Sequence, residues 1–200
     1  FENLFNKSQI DLNEILSILN FIYYLRDLEL ADDEFVYINK SYLFNKKKLF
    51  DNYRNFKKNK NIVSIKNLEQ VFNSTTHFSV IDKNGNALSA TSSIESSFGS
   101  RLFTNGFFLN NQLTDFDFQK TNTLGKLNKN RPQGGKKPLS SMAPLLIFDE
   151  KDNFVLSVGS PGGKAIISYV LKSLIHVLFQ NKSIKEAIES PNYIRIKNLI

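Results

Sequence analysis

Cysteine and tryptophan are absent from the 200 residues, and methionine occurs once. With no thiol available, disulfides, thiol nucleophiles and thiolate metal sites are all excluded. Histidine is nearly as scarce: His77 and His176 are the two in the chain. They stand far apart in sequence with no partner histidine or cysteine, so no zinc or iron site is expected. No run reaches the roughly eighteen apolar residues that a membrane-spanning helix requires. The chain opens on Phe1, and no basic segment leads into an apolar one, so no signal peptide is visible.

What is present is ordinary for a globular protein: 41% hydrophobic and 22% charged residues. The net charge of +7 and pI near 9.4 raise nucleic acid as a partner. The cations are dispersed, however, over Lys46-Lys47-Lys48, Lys57-Lys58, Lys60 and Lys136-Lys137. No nucleic-acid motif accompanies them, and the Asn- and Lys-rich stretch reads as a solvated face. No nucleic-acid partner is expected.

The two parts of the chain differ in texture. Residues 1 to about 72 read as mostly helical. Apolar residues recur at helical spacing from Ile10 to Leu19, with Ser8 and Asp11 as caps. A second helical stretch is predicted over Lys40 to about Phe56, and a short third around Ile65 to Phe72. Leu30 to Glu34 reads as a connection. From Ser74 onward the pattern turns to strands. Phe78–Asp82, the turn Lys83-Asn84-Gly85-Asn86 and Ala87–Ser92 form a predicted hairpin. Gly106–Leu109 is a short strand, and Asn122 to Lys137 a polar loop. Pro144–Phe148 and Phe154–Val158 flank Asp149–Asn153 as a second hairpin. A glycine-rich turn, Gly159 to Gly163, precedes a helix over Lys164 to Phe179, with a shorter one over Ile184 to Ser190. Helices, then hairpins, then helices predict an α+β fold, not a doubly wound parallel sheet.

Three segments carry chemistry. Ser74-Thr75-Thr76-His77 opens a strand with clustered hydroxyls. Pro138-Leu139-Ser140-Ser141-Met142-Ala143-Pro144 sets paired serines between prolines, where backbone freedom is low. Gly159-Ser160-Pro161-Gly162-Gly163 precedes a helix and offers adjacent backbone N–H groups to an anion. Each alone is a common structural feature: a strand start, a rigid turn, a helix entry.

Together with Leu109-Asn110-Asn111-Gln112-Leu113-Thr114-Asp115-Phe116, and in this order, they resemble the small subunit of the gamma-glutamyltransferase (gamma-glutamyltranspeptidase) family. The resemblance is strongest from about Ser74 to Pro191. Upstream, Asp33-Glu34-Phe35-Val36 and the Lys-rich stretch after it resemble the tail of the large subunit. The resemblance implies a partial N-terminal nucleophile hydrolase fold, an αββα four-layer sandwich. It also implies a fragment in which residues 1–74 end the large subunit and residues 75–200 form a truncated small subunit.

The same resemblance implies self-cleavage before Thr75, whose freed α-amino group then serves as base for its own hydroxyl. Ser93 resembles the hydroxyl residue that steadies the nucleophile, and Gly162 and Gly163 the oxyanion donors. Ser140 and Ser141 resemble groups that bind a donor's α-carboxylate; Gln112 and Asp115 resemble those facing its α-ammonium. The implied substrate is a small γ-glutamyl peptide such as glutathione, and the implied partner is the remainder of the chain's own large subunit. No metal or organic cofactor is implied, and the implied location is periplasmic or secreted. Glu95 stands where asparagine is common in the family, and a carboxylate there pairs with an ammonium but repels a carboxylate. Glu95 thus sets a second reading beside glutathione, an amidase or acylase with another acyl donor, and the truncated ends set a third, a non-catalytic remnant.

Overall fold

The computed structural model describes residues 11–58, 73–122 and 124–194. The helix expected around Ile65 to Phe72 lies outside them. The described residues form two compact units, each assembled from separate stretches: 11–58 with those of 113–140, and 73–112 with 141–194.

The first of these is helical. Helix α1, Leu12–Glu29, starts where Asp11 caps it by accepting from Asn13 N. Its apolar stripe buries Ile15, Leu16, Ile18, Leu19 and Phe21. A short helix α2, Lys40–Leu43, and α3, Lys46–Lys58, follow. The predicted single helix is thus broken at Phe44-Asn45, because Asn45 Oδ1 accepts from Lys48 N and caps a new start. Tyr53 and Phe56 of α3 pack on Phe21 of α1, with ring centroids 5.6 and 5.5 Å apart. Tyr53 Oη donates to Glu14 Oε1 at 2.7 Å, and Lys57 pairs with the other carboxylate oxygen. Burial pushes the Glu14 carboxyl upward, but the bonds from Lys57 and Tyr53 outweigh it and hold the group below its ordinary value. Burial raises the Tyr53 phenol to about 12. No helix among the described residues is long and apolar enough to cross a membrane.

The other unit joins antiparallel strands to helices, as the α+β expectation requires. Strand β1, Asn73–Ile81, pairs with β2, Ala87–Ser96. Asp82 accepts from Asn84 N and Asn86 N and closes their turn. Strands β3, Phe103–Thr104, and β4, Phe107–Phe108, make a second ladder. The predicted strand at Gly106–Leu109 is displaced because Asn105 and Gly106, at φ +49° and +87°, form the turn itself. Strands β5, Leu145–Phe148, and β6, Phe154–Val158, make the third hairpin where it was expected. Helix α4, Ile166–Leu174, continues into a wider π turn over Ile175–Phe179. Helix α5, Ile184–Glu189, begins at a Ser183–Glu186 capping box. Ile166, Val170, Ile175 and Ala187 form the core of this side. Buried Lys172 donates to Ser190 O at 2.9 Å, closing the C-terminal end of α5.

Candidate active site

Side chains alternate across a strand, so Thr75, His77 and Ser79 share one face of β1. Their register partners on β2 are Ser93, Thr91 and Ser89. This face is polar and carries two hydrogen-bonded groups, Thr75 with Ser93 and His77 with Thr91 and Ser79. Thr75 Oγ1 lies 2.9 Å from Ser93 Oγ. His77 Nδ1 lies 2.9 Å from Thr91 Oγ1, and its Nε2 lies 3.2 Å from Ser79 Oγ. Ser79 Oγ in turn meets Ser157 Oγ of β6 at 2.7 Å.

The Ser74–Thr75 bond sits at a fault in the ladder. Asn73 pairs with Ser96 and Thr75 with Ser93, so β2 spends one residue more than β1 across that bond. This is a β-bulge, which interrupts ladder hydrogen bonding and redirects side chains. Glu95 occupies it at φ +73°, a left-handed conformation that costs a non-glycine residue about 1–3 kcal/mol and persists only where its surroundings hold it. There, Glu95 N donates to Ser93 Oγ at 2.9 Å. The Glu95 carboxylate is half-buried, and Oε2 accepts from Ser96 Oγ and, at 2.7 Å, from Asn111 Nδ2.

The glycine loop belongs to the same unit. A Cβ on Gly159 would fall 2.1 Å from His77 Nδ1, so the absence of a side chain lets this loop seat against β1. Gly162 and Gly163 have φ +130° and +55°, conformations that favour glycine. Gly162 is further confined by Tyr169, whose Cε2 would lie 2.7 Å from an added Cβ. The loop leads through the 3₁₀ turn Gly163–Ala165 directly into α4, leaving its backbone N–H groups at a helix entrance.

The expected site residues divide between the two units. Thr75, Ser93, Glu95, Gln112, Ser141, Gly162 and Gly163 belong to the strand-rich one, Asp115 and Ser140 to the helical one. Thr75 and Ser93 are brought into contact, and Gln112 follows Asn111, the residue bound to Glu95. Within the helical unit, buried Asn130 ties the Asp115 and Ser140 blocks together. Its Nδ2 donates to Asp115 O at 2.8 Å, and its Oδ1 accepts from Leu139 N at 3.0 Å. Sequence reasoning misses Asn130 because a single asparagine in a polar Gly- and Lys-rich loop carries no periodic signal. Asn111 stands out only as part of its motif, for the same reason.

Thr75 is thus a strand-borne hydroxyl at a ladder fault, facing a second hydroxyl. Its mixed helix and strand frame is shared with solved N-terminal nucleophile hydrolases. The sequence matches the family model for gamma-glutamyltranspeptidase over residues 2–198, and the chain belongs to that family. It is 42% identical over 125 residues to a glutathione hydrolase proenzyme of Bacillus subtilis, covering 62% of this chain and 20% of that protein. Among solved structures, a mutant gamma-glutamyltranspeptidase of Helicobacter pylori superposes with TM-score 0.53 and 39% identity, covering 58% of this chain and 66% of that one. A mutant enzyme of Pseudomonas nitroreducens gives TM-score 0.52 and 32% identity, covering 57% and 62%. The match thus spans about a fifth of the length of the glutathione hydrolase proenzymes of Bacillus subtilis and Escherichia coli.

Proposed function

We propose that the full chain is a self-processing γ-glutamyl transferase or hydrolase whose nucleophile is Thr75. The observation that carries this reading is the Thr75 Oγ1–Ser93 Oγ contact of 2.9 Å at the ladder fault, in a member of this family.

In maturation, Thr75 Oγ1 attacks the Ser74 carbonyl carbon and the C–N bond breaks. The hydroxyl proton passes to the departing nitrogen, leaving an ester. Water then cleaves the ester, restoring the Thr75 hydroxyl and leaving a carboxylate on Ser74. The two products are residues up to 74 and residues from 75, the large- and small-subunit portions. Cleavage frees an α-amino group with an ordinary pKa of about 7.7–8.0, suited to general-base work near neutrality.

In turnover, that amine takes the Thr75 hydroxyl proton as Oγ1 attacks the donor's γ-carbonyl. The proton passes to the leaving amine, and water or an amino acid or peptide accepts the γ-glutamyl group from the threonine ester. Gly162 and Gly163 N–H groups stabilise the oxyanion, a role worth about 2.7–4 kcal/mol per donor. Ser140 and Ser141 take the donor's α-carboxylate; Gln112, Asp115 and Glu95 face its α-ammonium. Glutathione is the model donor, and a periplasmic or secreted location suits it.

The intact mass of the full chain after incubation at neutral pH tests the first step. A species beginning at Thr75, absent in Thr75→Ala, supports it; a Thr75→Ala protein cut at the same bond overturns it. The half-buried Glu95 carboxylate favours an alternative acyl donor that carries an amine but no neighbouring carboxylate. A panel of amide donors ranked by kcat/KM separates the two.

A further inference from the structure

Asn111 holds the β2 bulge that lies opposite the Ser74–Thr75 bond. Its Nδ2 donates to Glu95 Oε2 at 2.7 Å and to Ser96 Oγ at 3.0 Å. Its Oδ1 accepts from Ser96 N at 3.0 Å, and its own N donates to Ile94 O at 3.3 Å. Three consecutive residues of the bulge, Ile94 to Ser96, are therefore bound to one asparagine.

We propose that Asn111 is a positioning residue for the Thr75 nucleophile, acting through the bulge; the proposal rests on Thr75 being that nucleophile. Glu95 at φ +73° is in a conformation that an L-residue leaves unless its surroundings hold it. If Glu95 relaxed to extended backbone, its N–H would turn away from Ser93 Oγ. That bond, 2.9 Å long, occupies one lone pair of the oxygen that meets Thr75 Oγ1. Asn111 thus fixes Glu95, Glu95 fixes Ser93, and Ser93 fixes the nucleophile.

The side-chain amide matters because it donates and accepts at once. Aspartate would keep the acceptor for Ser96 N, lose the donors, and set a second carboxylate against Glu95. Asn111 also precedes Gln112, so one anchor ties a proposed donor-binding residue to the strand opposite the nucleophile.

The test reads self-cleavage of the full chain, a step that needs no donor and is blind to substrate binding. Parent, Asn111→Asp, Glu95→Gln and the double variant are compared by cleavage half-time and thermal unfolding. Loss of a charge-assisted bond predicts that Asn111→Asp, while still folded, cleaves at least about tenfold more slowly. In the double variant the glutamine amide can donate to the new carboxylate, and cleavage returns to within about fivefold of Glu95→Gln. A folded Asn111→Asp protein that cleaves at the parent rate overturns the proposal. So does a folded double variant that stays more than about fivefold below Glu95→Gln. If Asn111→Asp does not fold, the double variant decides the matter by that same comparison. Cleavage in a Thr75→Ala control would instead sink the nucleophile assignment, independently of Asn111.

Discussion

The hydroxyl oxygens of Thr75 and Ser93 lie 2.9 Å apart across paired positions of β1 and β2. Because Ser93 Oγ already accepts from Glu95 N, the serine proton can point at Thr75 Oγ1. That arrangement steadies the threonine oxygen while leaving the threonine proton for a base. Ser93→Ala removes the contact, and self-cleavage is expected to slow about 10- to 100-fold, the equivalent of about 1.4–2.7 kcal/mol. Ser93→Thr keeps the hydroxyl on a residue suited to strands and should stay close to the parent. Time courses of intact mass decide it: an alanine variant as fast as the parent removes Ser93 from the mechanism.

Asn130 is the second asparagine with a bridging role, binding Asp115 O and Leu139 N in one unit. Asn130→Ala leaves a carbonyl and an amide without these partners, at about 1–3 kcal/mol for each group that stays buried. Because both groups border proposed donor-binding residues, the donor KM should rise more than kcat falls. Steady-state kinetics on the processed enzyme checks this; a variant with lowered melting temperature but unchanged KM would confine Asn130 to folding.

Gly159 separates steric need from conformational need. Its backbone is not in the left-handed region, yet a Cβ would meet His77 Nδ1 at 2.1 Å. Gly159→Ala should therefore destabilise by about 1–3 kcal/mol through overpacking, with the loop or the ring displaced. In a His77→Ala background the obstruction is gone, and the same substitution should cost under about 0.5 kcal/mol. Additive losses of unfolding free energy in this double-mutant cycle would contradict the contact.

The hairpins at Phe78–Ser92 and Pro144–Val158 could be read from the sequence because alternation and an Asx-type turn act locally, within a few residues. Thr75, Ser93, Gly162 and Gly163 were legible only as members of ordered motif blocks. The bulge at Glu95 was not legible. Glutamate has no intrinsic preference for φ +73°, and Asn111, the residue that holds it there, lies sixteen positions away. The break between α2 and α3 escaped for the opposite reason, since one capping asparagine outweighs a continuous helical pattern. The Asn130 side chain acts through bonds to residues fifteen and nine positions away, which leave no period in the sequence.

Glu14 makes stability depend on acid pH in a defined direction. Burial opposes its ionised form, but the bonds from Lys57 and Tyr53 prevail, and its folded pKa lies below the ordinary 4.5. Ionised Glu14 is therefore favoured by the fold. Its contribution is complete above about pH 4.5 and is lost as pH falls through the lowered folded value. Between pH 6 and pH 3, on the order of the whole carboxylate range, the parent should lose more melting temperature than Glu14→Gln, which has no proton to gain. Tyr53→Phe removes the 2.7 Å donor and should cost about 1 kcal/mol at neutral pH, with the loss shrinking in acid as Glu14 protonates. Parallel pH profiles of melting temperature for parent and Glu14→Gln would contradict the assignment, because the α1–α3 contact would then carry no proton linkage.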